Sequence, residues 1–133
     1  MQDPKNLLVW QRSMELAVVI HGISKQIPAR KLPGVATQLI RAIASVPANI
    51  AEGVGQPYPA VTVRHLMVAI GSAYECETRL LIADRLAGPV QGLETTLDEL
   101  EQVRRMLYGL KGHFDKRVLE KRVTGPVVNE RRI

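Results

Sequence analysis

The residues with the most reactive side chains in this sequence are a cysteine between two glutamates, Glu75, Cys76 and Glu77. A cysteine acts as a nucleophile when its thiolate is stabilised and partly exposed. Cys76 instead falls on a helical seam of alanine and leucine, where we expect a buried thiol to pack as a small apolar group. It is the single cysteine of the chain, so no intramolecular disulfide can form, as is usual in a reducing cytosol.

The two glutamates have two interpretations. Arg79 follows Glu75 by four residues, which is the spacing of an ion pair on an exposed helix face. Alternatively, Glu75 or Glu77 reaches Asn49 or Arg41 on another helix and forms a buried polar cluster. Replacing a surface glutamate would cost less than ~0.5 kcal/mol of unfolding free energy, whereas a buried one would cost more.

The three histidines, His21, His65 and His113, do not have the spacing of a metal site. We expect His21 to line a helix face and the other two to be solvated. The glycines of residues 53–59 lack the GxxxxGK(S/T) pattern of a phosphate-binding loop, and no strand precedes them. The sequence therefore predicts no metal, no cofactor and no enzymatic activity.

Basic side chains are the remaining candidates for a binding site. The chain has 18 lysines and arginines against 13 acidic residues, and this formal charge of +5 favours anionic partners such as RNA or DNA. We expect electrostatic contacts from these side chains to phosphates, with shape being read and not base sequence. The candidates, the last two ranked after the others, are Arg12, Lys25, Arg30, Lys31, Arg41, Arg104 and Arg105.

Aromatic residues make up 4% of the chain, and only Tyr58 and Tyr74 are candidates for stacking on bases. Sequence-specific reading of a single strand is therefore not expected. Two alternatives stay open: the basic residues are an ordinary solvated surface, or the protein is an interaction scaffold for a partner protein with no nucleic-acid role.

Four segments with the apolar periodicity of amphipathic helices could position these side chains. The third is the clearest, because its apolar residues recur at alternating steps of three and four, which predicts left-handed packing at about +20°. That seam is Leu66, Ala69, Ala73, Cys76, Leu80, Ala83 and Ala87. The helices are predicted at about residues 7–27, 35–52, 60–87 and 92–116.

These helices predict an all-α fold, an up-down-up-down bundle over residues 1–117, with a basic and disordered tail over residues 118–133. In the first helix, two neighbouring stripes are apolar. One contains Trp10, Met14, Ala17 and His21, and the other contains Leu16, Ile20, Ile23 and Ile27.

The second helix is apolar almost all the way round, so it must be covered on more than one side. This predicts self-association as a symmetric homo-oligomer. Pro47 lies inside the helix and should kink it. We expect Ser45 to cap a restarted turn and Gly53 to end the helix in the left-handed conformation.

The start of the chain, MQDPKN, is polar and lacks the pattern of a signal peptide. No apolar run approaches the ~20 residues that span a bilayer. We therefore expect a soluble, cytoplasmic protein without a membrane partner.

Three stretches resemble one family: VWQRSMELA at residues 9–17, GVATQLIRAIASVPANIAEG at 34–53 and GSAYECETRLLIA at 71–83. They are similar to the small bacterial four-helix-bundle proteins encoded in 23S rRNA intervening sequences. Those proteins are related to the accessory variability proteins of diversity-generating retroelements. The resemblance covers about residues 7–115.

The resemblance implies a four-helix bundle that assembles as a homopentamer. It also implies a basic surface suspected of binding nucleic acid, and no established catalysis. Family members often carry two arginines where this chain has Ile40 and Arg41, and an arginine-serine segment where this chain has residues 56–58, so this chain has less positive charge there.

Overall fold

The computed structural model describes residues 3–124 and forms a four-helix bundle. Within that range the chain is all-α, without a strand, which confirms the predicted fold class. Helix α2 packs against α1 and α3, and helix α4 packs against the same two helices. A 3₁₀ turn at Pro4–Asn6 precedes the helices, which are α1 Leu8–Ser24, α2 Val35–Val54, α3 Pro59–Ala87 and α4 Leu93–Thr124.

The core is aliphatic, and the predicted seam of α3 lies at its centre. Six of the seven seam residues are fully inaccessible to solvent, and Ala87, at the end of the helix, is partly buried. Because four of the seven seam residues are alanine, α3 can approach its neighbours closely. The inaccessible residues are Leu66, Ala69, Ala73, Cys76, Leu80 and Ala83.

Helix α1 buries one of its two apolar stripes. Leu16, Ile20 and Ile23 face the core, whereas Met14 and His21, on the other stripe, are exposed. The helix ends at Ser24, three residues before the expected end. The residue before a proline disfavours the helical conformation, which accounts for an end ahead of Pro28.

Helix α2 runs without interruption through Pro47, which is buried. Ser45 does not cap a new turn, because its hydroxyl accepts hydrogen bonds from Ser72 and Asn49. The prediction of a left-handed Gly53 is wrong, since positive φ among the described glycines occurs only at residues 34, 88 and 92. Gly53 is helical and buried, and a Cβ added there would lie 2.8 Å from the Cβ of His65.

Helix α4 continues to Thr124, about two turns beyond the expected end near residue 116. No glycine or proline occurs between Gly112 and Gly125, and each further residue adds a backbone hydrogen bond, so nothing stops the helix earlier. Phe114 of α4 is buried, and residues 115–123 after it are all at least partly exposed. Of the expected tail, residues 125–133 lie outside the described range.

The two connections 25–34 and 88–92 are joined by one side chain. The Nε2 of Gln26 donates to the carbonyl of Gln91 at 3.3 Å, and the Gln91 N–H donates to the Oε1 of Gln26 at 2.9 Å. Ile27 and Leu32 of the first connection are buried, so this connection belongs to the core.

None of the helices in residues 3–124 combines the length and the apolar character needed to cross a membrane.

Candidate functional site

Cys76 is fully buried among the apolar residues of the α3 seam. Burial above all, and then the charge of Glu75, raises the pKa of the Cys76 thiol to about 12. A thiol with that pKa carries almost no thiolate near neutral pH, so it has neither the charge nor the access that a nucleophile needs. The structure therefore places Cys76 in the core as a small apolar residue.

Each of the two neighbouring glutamates forms an ion pair, but only Glu75 forms the expected one. Glu75 accepts a hydrogen bond from the Nε of Arg79 at 2.9 Å on the same exposed helix face. Glu77 instead accepts from Arg104 on α4 at 2.6 Å. The alternative contact with Asn49 or Arg41 is wrong, because Glu75 pairs with Arg79 and the guanidinium of Arg104 on α4 lies beside Glu77.

Arg104 is the most buried of the paired cations among the described residues, with 13% of its side chain exposed. Its guanidinium also lies over the ring of Tyr74, 4.4 Å from the centroid. A charge that is paired and stacked in this way fixes the distance between α3 and α4. It would lose both contacts if it turned towards a phosphate.

A chain of hydrogen bonds, here named the α2–α3 polar chain, crosses between α2 and α3. Ser72 donates to the Oγ of Ser45 at 2.8 Å, and the Nδ2 of Asn49 donates to the same oxygen at 3.0 Å. The Nδ1 of His65 lies 3.1 Å from the Oδ1 of Asn49 and 3.6 Å from Glu52. Since Oδ1 can only accept, this network assigns a proton to Nδ1 of His65.

The expectation that His65 is solvated is therefore wrong, because the close approach of α2 and α3 half-buries it against Asn49. His113 is exposed, as expected, and its ring meets the edge of Phe114 at 5.2 Å between centroids. His21 is exposed on α1. In the part of the chain that the structure describes, no group of three or more histidine, cysteine or acidic residues could hold a metal ion.

Three of the seven predicted phosphate-binding residues have carboxylate partners. Arg12 donates to Glu99 at 2.9 Å and also to Gln102 at 2.6 Å, which ties α1 to α4. Arg105 pairs with Glu101 at 2.8 Å but keeps 76% of its side chain exposed. Arg12 and Arg104 therefore join helices of the bundle, and the charge of Arg105 is neutralised on the surface by Glu101.

The other four predicted residues, Lys25, Arg30, Lys31 and Arg41, are exposed, and their side chains form no hydrogen bond or ion pair with the described residues. Three lie in the connection that follows α1, and Arg41 lies about two turns into α2. We name this group the α1–α2 corner. Its charges are available to an anion without breaking an internal contact.

A second basic region lies at the end of α4, where the sequence predicted the last residues of the bundle and the start of the tail. Its cations are Lys116, Arg117, Lys121 and Arg122, all exposed. The signal that could have found it is the absence of a helix-breaking residue before Gly125.

The chain is similar to one protein family and to one protein of known structure. A family model described as "23S rRNA-intervening sequence protein" matches residues 5–109. The fold is similar to that of a protein with unknown function from the S23 ribosomal protein family of Bacteroides thetaiotaomicron VPI-5482, with a TM-score of 0.70 and 24% sequence identity. That similarity covers 78% of this chain and 98% of the other, and it shows the shared fold alone. No curated protein matches the chain.

Proposed function

The chain belongs to the family of 23S rRNA-intervening sequence proteins, and from this membership we propose that it is a non-enzymatic, oligomeric protein that binds RNA or DNA in the cytoplasm. The contacts are electrostatic and require no cofactor. The observation that carries the proposal is the α1–α2 corner, where four exposed cations have no side-chain partner among residues 3–124. Cations in this state can neutralise phosphates and release the counterions that accompany them.

The arginines that already have carboxylate partners are poorer candidates for phosphate binding than the α1–α2 corner. Arg12 and Arg104 would have to give up contacts of 2.6–2.9 Å with α4 or α3 before they could reach a phosphate. Leaving Glu77 or Glu99 without its partner costs free energy that a new phosphate contact must first offset. The α1–α2 corner therefore contributes more to binding than these two residues do.

The assembly is a homo-oligomer, and the resemblance to the family favours a pentamer. A shallow apolar groove between α1 and α2 supports self-association, with Met14, Ala44 and Ala48 among the residues that line it. Val18 nearby on α1 is 75% exposed. In a ring of subunits the α1–α2 corner is repeated around the axis, and weak contacts then act together. Light scattering of the purified protein measures the subunit number directly, and a monomer mass would overturn the proposed homo-oligomer.

The helices alternate in direction along the chain, as an up-down-up-down bundle requires. Two contacts support this arrangement. Gln26 joins the connection after α1 to the connection after α3. Gly53, near the end of α2, lies against His65, near the start of α3.

A second candidate function, a scaffold for a partner protein, is favoured by an exposed tyrosine pair on α3 and α4. Tyr74 and Tyr108 are each about half exposed, and Arg104 stacks on the first. A hydrogen bond with Tyr74, more than any other cause, raises the pKa of Tyr108. Tyrosine and arginine are enriched where proteins bind proteins.

The test of the first function is binding of the purified protein to a labelled structured RNA and a labelled DNA duplex at about 50 and 200 mM salt. A site with 6–10 phosphate contacts loses roughly 10³–10⁵ in affinity over that range. Neutralising the α1–α2 corner with Lys25→Gln, Arg30→Gln, Lys31→Gln and Arg41→Gln should weaken both affinity and salt dependence.

The control neutralises two arginines that already have carboxylate partners, Arg79→Gln with Arg105→Gln, and is compared with a variant that removes two charges of the corner, Lys31→Gln with Arg41→Gln. We expect the control to bind nearly as the unmodified protein does. If the unmodified protein binds neither nucleic acid at low salt, the proposal fails, and capture of a partner protein by the Tyr74 and Tyr108 surface becomes the hypothesis to test.

A further inference from the structure

A cleft between the start of α3 and the end of α4, the α3–α4 cleft, is lined by Tyr58, Pro59, Ala60, Val118, Lys121 and Arg122. We propose that it binds one nucleotide of single-stranded RNA or DNA, with the base against Tyr58 and the phosphate on Lys121 and Arg122. This inference rests on the proposed function and adds to it a contact of different chemistry at a different place. The residues of α4 that form the cleft lie beyond residue 109, where the family match ends.

The shape of the cleft suits a small flat group. Its volume is about 250 Å³, with Pro59, Ala60 and Val118 providing apolar walls. A neighbouring cleft of about 410 Å³ shares Ala60, Val118 and Arg122 with it. Tyr58, at the edge, is 62% exposed and offers a ring on which a base can stack. Stacking on an aromatic side chain accepts any base, because every base has a π-face.

Two cations stand at the rim of this apolar cleft. The Nζ of Lys121 lies over the Tyr58 ring, 5.2 Å from its centre, and it must move off that face if a base is to stack there. Arg122 is exposed, and it forms no ion pair within the described range. The nearby Asp115 is already paired with Lys111 at 2.8 Å. An aromatic ring, an apolar wall and two cations together match a nucleotide, which has a flat base and an anionic phosphate.

Charge along α4 selects the sign of the ligand. Residues 93–110 carry four acidic and two basic side chains, whereas residues 111–124 carry five basic and two acidic ones. The cleft lies at the basic end of the helix, so an anionic ligand is electrostatically favoured there and a cationic one is repelled. Helix α4 is thus acidic near its start, where Glu99 pairs with Arg12, and basic near its end.

The experiment measures binding of labelled eight-nucleotide oligouridine and oligothymidine to the full chain at about 50 mM salt. Tyr58→Ala should weaken binding by roughly 5–150-fold, the usual loss of one stacked base. Tyr58→Phe keeps the ring and should bind as the unmodified protein does.

The cations are tested with a matched pair of variants on the same helix. Lys121→Gln with Arg122→Gln should lose substantially more affinity than Lys116→Gln with Arg117→Gln, which removes the same charge outside the cleft. Circular dichroism of each variant should show unchanged helix content. Equal losses in the two double variants would mean general attraction by the basic helix end and would overturn the site.

The remaining outcomes separate this inference from the proposed function. If the unmodified protein binds nucleic acid and Tyr58→Ala binds it equally well, the cleft is overturned and the proposed function stands. If the unmodified protein binds no nucleic acid at low salt, both fail. If polyglutamate displaces the oligonucleotide as effectively as unlabelled oligonucleotide does, the cleft recognises anionic peptides, and the nucleotide assignment is wrong.

Discussion

Thr62 on α3 donates a hydrogen bond of 2.7 Å to the carbonyl oxygen of Gly53 on α2, and both residues are buried. The same carbonyl also accepts from the N–H of Gln56 at 3.2 Å, so the Thr62 hydroxyl adds a second, interhelical bond at the end of α2. The absence of a side chain at Gly53 allows the approach. Together the two residues set how closely α3 packs on the end of α2.

We predict that Gly53→Ala destabilises the protein by about 1–3 kcal/mol, the usual cost of forcing an extra methyl group into a packed interior. The added Cβ would lie 2.8 Å from the Cβ of His65 and 3.3 Å from the carbonyl of Thr62, and neither atom is at the end of a flexible side chain. Urea unfolding measures the change. Gly109→Ala is the control, because Gly109 is exposed on α4 with open space around it and should gain ~0.5–1 kcal/mol.

The ion pair between Glu77 and Arg104 should be worth more than the pair between Glu75 and Arg79. Arg104 is mostly buried, and truncating a partner of a charged hydrogen bond costs ~1.5–3 kcal/mol. The exposed pair on one helix contributes about 0.3–0.5 kcal/mol. We therefore expect Glu77→Gln to lower the unfolding free energy by more than ~1 kcal/mol and Glu75→Gln by less than ~0.5 kcal/mol. Similar losses for the two variants would contradict the burial of the first pair.

The stability of the protein should fall in alkaline solution because of Cys76. Its folded pKa of about 12 lies above the ordinary value of 9.0, so the thiol stays protonated in the fold while the unfolded chain ionises. The contribution is complete below pH 9 and is lost as the pH rises towards 12, by about 1.4 kcal/mol per pH unit at most.

Lysines and tyrosines also titrate in this range, so the effect of Cys76 is measured as the difference in unfolding free energy between the unmodified protein and a variant without the thiol. The unfolding free energy of the protein and of Cys76→Ala is followed between pH 8 and pH 10.5. The advantage of the unmodified protein should shrink by about 2 kcal/mol between pH 9 and pH 10.5. A constant difference would mean that the folded thiol ionises normally.

Arg12 and Arg41 should separate stability from binding. Arg12→Gln removes the ion pair with Glu99 and should cost about 1 kcal/mol of unfolding free energy, but leave the salt dependence of nucleic-acid binding unchanged. Arg41→Gln should leave stability unchanged and lower the salt slope by about 1, as the loss of one phosphate contact does. The reverse result would return Arg12 to the binding surface.

The sequence predicted the parts of the fold that depend on local periodicity. The seam of α3 was predictable because residues from Leu66 to Ala83 repeat at three and four, and this spacing places them on one face whatever the neighbours are. The burial of Cys76 followed from its place in that repeat. The all-α class and the family followed from the same pattern and from the motifs beside it.

Contacts between helices were not predictable in the same way, because the rotation of one helix against another does not appear in the spacing. Glu77 could be placed on a face of α3, but not opposite Arg104, 27 residues further along the chain. Gly53 was expected to end a helix, since glycine commonly does so, whereas its actual role depends on the position of His65. For the same reason, sequence alone could not separate the paired Arg12 from the unpaired Arg41.

The end of α4 is weakly buried, because residues 115–123 are all at least partly exposed. Its amide protons should therefore exchange with solvent through local opening, long before those of the helix segment that contains Leu100 and Leu107. A ligand that bridges Tyr58 and Lys121 would oppose this opening, and part of its binding free energy would be used to order the last turns of α4. Affinity in the cleft and hydrogen-exchange protection of the last turns of α4 are thus two measures of one equilibrium.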